Sequence, residues 1–312
     1  MRNTFVAELE KLAAENSSLI LLVGDIGFGV FENFSKKYPS QYINMGIAEQ
    51  NMISVASGLA KEGYKPIVYT IIPFLTMRAF EQIRVDICMH NRDVKLVGVG
   101  GGYSYDILGP THHALEDIGI MRTLPGMNIL TPSTPRQIIG FLENEFQKPG
   151  PCYLRLGKNG EPDFPENLDA IDVESGIAVH GLGKSIVIIT HGPIISEVMI
   201  AAEQLTKLGY SPTLISIFRN EPFDFSNLLK FENLEKLFVV VEENYEVGSL
   251  YSALTNYLAQ NNLKFDVLGI HPKKEFYTRV AKKIEILADL GLDASAIVQK
   301  VIANLNFRAR IK

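Results

Sequence analysis

The sequence contains no tryptophan and only two cysteines, Cys88 and Cys152. Two widely separated cysteines make no disulfide framework, no CxxC pair and no zinc-type Cys/His spacing. Both read as small core hydrophobes, which fits a reducing cytoplasm. Blocks of like charge are also missing, so no interaction tail is advertised. Thirty Lys and Arg stand against thirty-five Asp and Glu, a formal net charge of -5. That mildly acidic balance argues against non-specific nucleic-acid binding. Apolar runs are strand-sized and broken by glycine or charge, too short to span a bilayer. The opening stretch MRNTFVAELEKLAAEN has the pattern of an amphipathic helix with acids inside it. It lacks an apolar stretch followed by a small-residue cleavage site, so no secretory signal is expected. What is abundant is core material: 46% of the 312 residues are hydrophobic, enough for two ordinary domains.

Short β-branched runs alternate with helix-period segments along the chain. Strands are expected at 18–23, 65–70, 94–99, 127–131 and 151–156, with helices at 46–61, 77–90, 115–123 and 135–146. From 157 to 183 the alternation lapses into a stretch rich in Pro, Asn, Asp and Gly that reads as a linker. A second alternation follows, with strands at 185–190, 213–217, 237–241 and 265–270 and helices at 194–208, 247–260 and 294–305. The fold class is therefore α/β, with two domains, each a mostly parallel sheet flanked by helices. The expected limits are 1–165 for the first domain, 166–183 for the linker and 184–312 for the second.

Three glycine-rich spots do not qualify as nucleotide motifs. GLGKS at 181–185 resembles the end of a P-loop, but the first glycine belongs at Ala178 and the segment enters a strand instead of a helix. GVGGGY at 98–103 and GDIGFG at 24–29 lack the dinucleotide spacing. Each reads as a tight loop at a strand exit, where open α/β sheets bind ligands.

Two other segments carry chemistry-bearing residues. In NMGIAEQNMISVASGLAKEG (44–63), Glu49 falls in the first turn of a helix whose apolar face holds Ile47, Ile53, Val55, Ala56, Leu59 and Ala60. A glutamate there can simply complement the helix dipole, or it can serve a site. In LGPTHHALEDIG (108–119), a Gly-Pro-Thr turn is followed by His112 and His113 at an expected helix start. Adjacent histidines at a turn are either surface polarity or proton carriers presented to a cleft.

Together, GIAEQ (46–50) and GPTHH (109–113) resemble the pyrimidine-binding domain of transketolases and 1-deoxyxylulose-5-phosphate synthases. The resemblance is strong over about residues 15–160. It includes MRTLPGMNILTPSTP (121–135), and FSKKYPSQYINMGIAEQ (34–50) is closest to the synthases. VVVEEN (239–244) resembles the same family's C-terminal domain, without a catalytic signature.

The resemblance implies a thiamine diphosphate enzyme. It places Glu49 on N1′ of the cofactor's aminopyrimidine, where a shared proton favours the imino form that activates C2. It places His112 beside the donor ketose, with His113 as its neighbour. Phe74 would pack on the aminopyrimidine, with Ile72 and Leu75 as alternative pocket walls should the alignment slip. Asp25, in VGDIG, matches an acid at the end of the first strand, near the subunit contact. Lys158, in RLGKNG, stands where relatives carry an arginine that grips the acceptor's phosphate, and a lysine can do so as a point charge.

Two departures qualify the match. Relatives carry Glu-Asp ahead of Gly-Pro-Thr-His, whereas Ile107 and Leu108 stand there in this chain. The aspartate that meets a sugar hydroxyl is thus lost, and an upstream sugar-phosphate ligand is replaced within Gly100 to Gly102. A more apolar pocket and an unusual donor or acceptor are expected. Second, the family's GDG…N motif, which holds Mg²⁺ and the diphosphate, is not found. The expected enzyme is therefore split: a partner chain supplies the diphosphate and Mg²⁺ site, this chain binds no metal, and two such pairs form a cytoplasmic α2β2 transketolase that moves a two-carbon ketol unit from a ketose to an aldehyde. Other readings are the β subunit of a 2-oxoacid dehydrogenase, a 1-deoxyxylulose-5-phosphate synthase-like condensation, and a non-catalytic scaffold subunit.

Overall fold

A computed structural model describes residues 1–27, 29–144, 147–158, 160–163, 170–183, 186–231 and 237–311. The strands in chain order are β1 (Leu19–Val23), β2 (Tyr42–Asn44), β3 (Lys65–Ile71), β4 (Lys95–Val99), β5 (Asn128–Leu130), β6 (Cys152–Leu156), β7 (Ala170–Asp172), β8 (Ile177–Val179), β9 (Ile186–Thr190), β10 (Pro212–Ile217), β11 (Arg219–Glu221), β12 (Leu237–Val241) and β13 (Asp266–Ile270). They form two sheets, ordered β11-β5-β6-β4-β3-β1-β2 and β13-β12-β9-β10-β8-β7.

Pairing in the first sheet is parallel from β5 to β2. Strands such as LILLV and KLVGV are buried along their whole length, as parallel strands covered on both faces must be. Alternate residues serve opposite faces. Leu21, Val23, Ile67, Tyr69 and Val97 pack beneath Phe5 and Leu9 of the helix Arg2–Glu15. Ile20, Leu22, Val68 and Leu96 pack with Met52, Ile53 and Ala56 of the helix Glu49–Lys61. Cys152 is buried at the start of β6, whereas Cys88 is only half-buried, with its thiol pushed up to about 11 by burial.

The linker expected over 166–183 differs in the structure. Residues 164–169 lie outside the described residues, but β7 and β8 both belong to the second sheet. They form an antiparallel pair, and β8 pairs with β10. Three-residue strands are too short to show alternation, and the polar composition around them imitates a linker. The second half also reaches back. β11 pairs antiparallel with β5 and completes the first sheet, and the Thr131 N–H donates to the Phe218 carbonyl at 2.7 Å.

Within the first domain lies a fully buried ion pair. Arg155 Nε donates to Asp117 Oδ2 at 2.8 Å, and the Tyr153 hydroxyl donates to the same oxygen at 2.7 Å. Removing one partner strands the other charge in the interior. Asp117→Ala is therefore expected to cost about 3–5 kcal/mol. Urea unfolding would show it as a lowered midpoint with an unchanged slope, and an unchanged midpoint would show the pair to be dispensable.

Candidate active site

The carboxyl ends of β2, β1, β3, β4 and β6, neighbours in that order, launch Glu49, Asp25, Phe74, the histidine loop and Lys158 respectively. Five loops thus converge along one edge of a parallel sheet, where open α/β folds gather ligands.

Asp25 follows β1 in a left-handed conformation, φ 52°. Its N–H donates to Asn44 Oδ1 at 3.2 Å, and Asn44 Nδ2 donates to Asp25 Oδ1 at 3.1 Å. The same Asn44 oxygen accepts the Gly46 N–H at 3.0 Å. This clasp ties the β1 exit to the turn that opens the helix Glu49–Lys61. On that helix Glu49, Met52, Ile53 and Ala56 form one buried stripe at the i, i+3, i+4, i+7 spacing. The helical period therefore turns the Glu49 carboxylate inward, to 2% exposure. Ile47, expected on that apolar face, precedes the helix and is 78% exposed.

A buried carboxylate needs a partner. Arg78 Nη1 supplies it, donating to Glu49 Oε2 at 2.7 Å. Arg78 closes a π-helical turn, Phe74–Arg78, and its guanidinium carbon lies 4.3 Å from the centroid of the Phe74 ring. Single π turns concentrate at functional sites because their wider winding re-aims side chains. The Phe74 ring in turn meets His112 edge-on at 5.2 Å. Ile72 and Leu75, the alternative pocket walls, are both fully buried. They lie in the core and support the Phe74 turn; they are not on the row that runs from Glu49 to His112.

The histidine loop is a series of turns, and its helix begins only at Asp117. His112 Nδ1 lies 2.9 Å from Thr111 Oγ1 and its ring is 5.7 Å from Tyr105. His113 is buried against Tyr103, centroids 5.0 Å apart, with Nε2 3.0 Å from the Asp106 carbonyl. Burial, and after it the neighbouring His113, pushes the His112 pKa down, and burial lowers that of His113. Both imidazoles are therefore neutral at pH 7. Tyr105 packs over Gly100, where φ is +99° and a Cβ would collide with its ring. Lys158 Nζ lies 5.0 Å from the centroid of the Tyr105 ring. Lys158 also lines a cleft of about 320 Å³ between the domains, with Ser104, Asp106, Ser196 and Lys283. Ile107 and Leu108 are 55% and 48% exposed on the turn preceding Gly109 and the histidines.

The structure thus brings Glu49, Phe74, His112 and Lys158 into one continuous row and sets Asp25 at its foot. Arg78 and Tyr105 join that row, and Asn44 holds Asp25, without having been singled out from the sequence. For Arg78 a signal existed, as the one cation in the apolar run from Ile71 to Ala79. Among the described residues no group of three His, Cys, Asp or Glu could hold a metal ion. No helix among them is long and apolar enough to cross a membrane.

Comparison with known proteins agrees with this architecture. The transketolase pyrimidine-binding domain matches residues 1–161 and the transketolase C-terminal domain matches residues 176–297. The chain belongs to the transketolase family and carries those two domains. Among its relatives is a subunit of the apulose-4-phosphate transketolase of Phocaeicola vulgatus, 30% identical over 96% of each chain. The 1-deoxy-D-xylulose-5-phosphate synthase of Pseudomonas aeruginosa PAO1 is 31% identical over 88% of this chain, which spans only 42% of that enzyme. Among solved structures, a split-gene transketolase described as an inactive β4 tetramer superposes with a TM-score of 0.84, at 29% identity, over 98% of this chain and 97% of that one. The transketolase of Campylobacter jejuni shares the fold, with a TM-score of 0.78 at 17% identity, over 97% of this chain and 46% of its own.

Proposed function

We propose that this chain pairs with a second chain carrying the diphosphate and Mg²⁺ site, and that the pair moves a two-carbon ketol unit from a ketose to an aldehyde. The observation that carries the reading is the single row Glu49, Arg78, Phe74, His112 and Lys158 along one sheet edge. Its donor set suits thiamine diphosphate. Glu49 offers a buried carboxylate, with Arg78 holding Oε2, and Phe74 offers a flat apolar face. When bound, that cofactor supplies the electron sink that the side chains lack. Glu49 holds the proton at the aminopyrimidine edge and Phe74 orients the ring. His112, neutral at pH 7, accepts or returns a hydroxyl proton of the sugar, and Lys158 draws the acceptor's phosphate.

Ile107 and Leu108 give the donor side an apolar wall, which fits a ketose phosphate other than the common pentose. The relatives named for apulose 4-phosphate support that substrate class. Two pairs assemble as an α2β2 tetramer in the cytoplasm on this reading. The test is co-purification with a chain carrying a GDG…N motif, followed by thiamine-diphosphate-dependent turnover of ketose phosphates. Cofactor binding without turnover of any ketose would favour the scaffold reading. The similarity to the synthases sustains a second reading, a condensation like theirs. Formation of 1-deoxy-D-xylulose 5-phosphate by the same complex would support it over ketol transfer.

Arg78 has a separate expectation. A hydrogen bond to a charged group is worth about 1.5–3 kcal/mol. Arg78→Met should therefore lower kcat about 10–100-fold, with Arg78→Lys recovering part of it. Equal kcat in all three proteins would show the guanidinium to be a bystander.

A further inference from the structure

The second domain carries none of the row's side chains, yet it grips the loop that presents the histidines. Asn244 Nδ2 and the Tyr245 N–H both donate to the Leu115 carbonyl, at 3.1 Å each. Asn244 Nδ2 also reaches Asp117 Oδ1 at 3.3 Å. Glu243 Oε1 accepts the Tyr103 N–H at 3.3 Å, and Lys283 Nζ donates to Glu243 Oε2 at 3.1 Å. Gly102 leaves the space that the Glu243 side chain fills, since a Cβ there would meet its carboxyl carbon at 2.6 Å. Gly102 and Ala114 then exchange both backbone hydrogen bonds at 3.0 Å, which locks the β4 exit to the histidine loop. Arg155 Nη2 adds a donation to the Ala114 carbonyl at 2.9 Å.

Glu243 and Asn244 are 2% and 1% exposed and touch none of the row. Burying a carboxylate and an amide is costly, and Asn244 Oδ1 is buried without a hydrogen-bond partner, so the bonds the two side chains do make must offset that cost. Here those bonds all end on the segment that flanks His112 and His113, apart from the Lys283 pair that balances the carboxylate's charge.

We infer that Glu243 and Asn244 are positioning residues: they reach from the second domain to fix the backbone on both sides of the histidine pair, and so set where the sugar's proton carrier stands. This rests on the proposed ketol transfer. Glu49 hangs on a different helix on which none of the clamp's bonds ends, so C2 exchange and ketol transfer can be read separately.

The test uses the assembled holoenzyme with Glu243→Ala, Glu243→Gln and Asn244→Ala. Three readouts are taken: exchange of the cofactor's C2 proton, kcat for ketol transfer, and the His112 titration followed by NMR in the same complex. Both alanine variants are expected to lose about 10-fold or more in kcat with C2 exchange within about two-fold of wild type. Their His112 titration should move up towards the ordinary histidine value as the loop opens to water. Glu243→Gln keeps an oxygen for the Tyr103 N–H and should recover most of the rate. An unmoved His112 titration with unchanged kcat would overturn the inference. So would exchange and kcat falling together, which marks general structural damage. If wild type exchanges the C2 proton yet transfers no ketol unit, the functional reading fails. The NMR titration still decides the clamp: it stands if the midpoint moves in the alanine variants and falls if it does not.

Discussion

Glu49→Gln, assayed in the assembled enzyme, is expected to slow exchange of the cofactor's C2 proton by roughly 10²–10⁴-fold. The amide is nearly isosteric, so Met52, Ile53 and Ala56 keep the helix seated and the cofactor still binds. What changes is the ability to hold a proton at the ring edge. The amide oxygen can still accept from Arg78 although the counter-charge is lost, and with the shape kept, cofactor affinity is expected to shift far less than the rate. The measurement is hydrogen–deuterium exchange of bound cofactor under acid quench. Equal rates in the two proteins would remove Glu49 from this role and leave it as a helix-dipole partner.

His112→Ala is expected to lower ketol transfer by about 10²–10⁴-fold while leaving cofactor affinity and C2 exchange nearly unchanged. A large loss of cofactor affinity would instead mark His112 as part of the cofactor site. The pH profile gives a second check. Burial and the neighbouring His113 lower the His112 pKa, so the active neutral form persists below the ordinary value near about 6.5. The acid limb of kcat should therefore lie below that value and vanish in the variant. The same shift links to folding. With folded values depressed, the unfolded chain binds more protons as pH falls through about 6.5. Stability contributed by the two neutral imidazoles is thus present above that pH and lost below it.

Much of this site was legible from residue spacing. Glu49 lies three, four and seven residues before Met52, Ile53 and Ala56, so the helical period alone turns it inward. Whether it served the helix dipole or a site could not be read from spacing, because the deciding partner, Arg78, sits on another element. Arg78 itself was obscured by the π turn, which breaks the period that helix reading relies on. The Asp25–Asn44 clasp and the packing of Tyr105 on Gly100 join residues on different loops. Local pattern carries no information about such pairings. Most long strands were readable because a parallel strand buried on both faces is a continuous apolar run. β2, β7, β8 and β11 were not: each is three residues and polar in part or in its surroundings, whereas the equally short β5 was readable from its largely apolar run Met127 to Leu130. The segment VVVEEN read only as a family resemblance, since the polar role of Glu243 and Asn244 appears once the two domains touch.

The strand β11 bears on how the protein could be cut or built. It comes from the second half of the chain yet seals the outer rim of the first sheet beside β5. A fragment ending near residue 165 would carry the whole row of site side chains but leave the backbone of β5 bare, and an unpaired rim invites edge-to-edge association. Such a fragment is expected to precipitate or form higher oligomers on size-exclusion chromatography, and a well-behaved monomer would refute this. By that logic the two lobes are a single inheritance unit. A gene break at the apparent seam between them would tear a sheet in two, however tidy that seam looks in the primary structure.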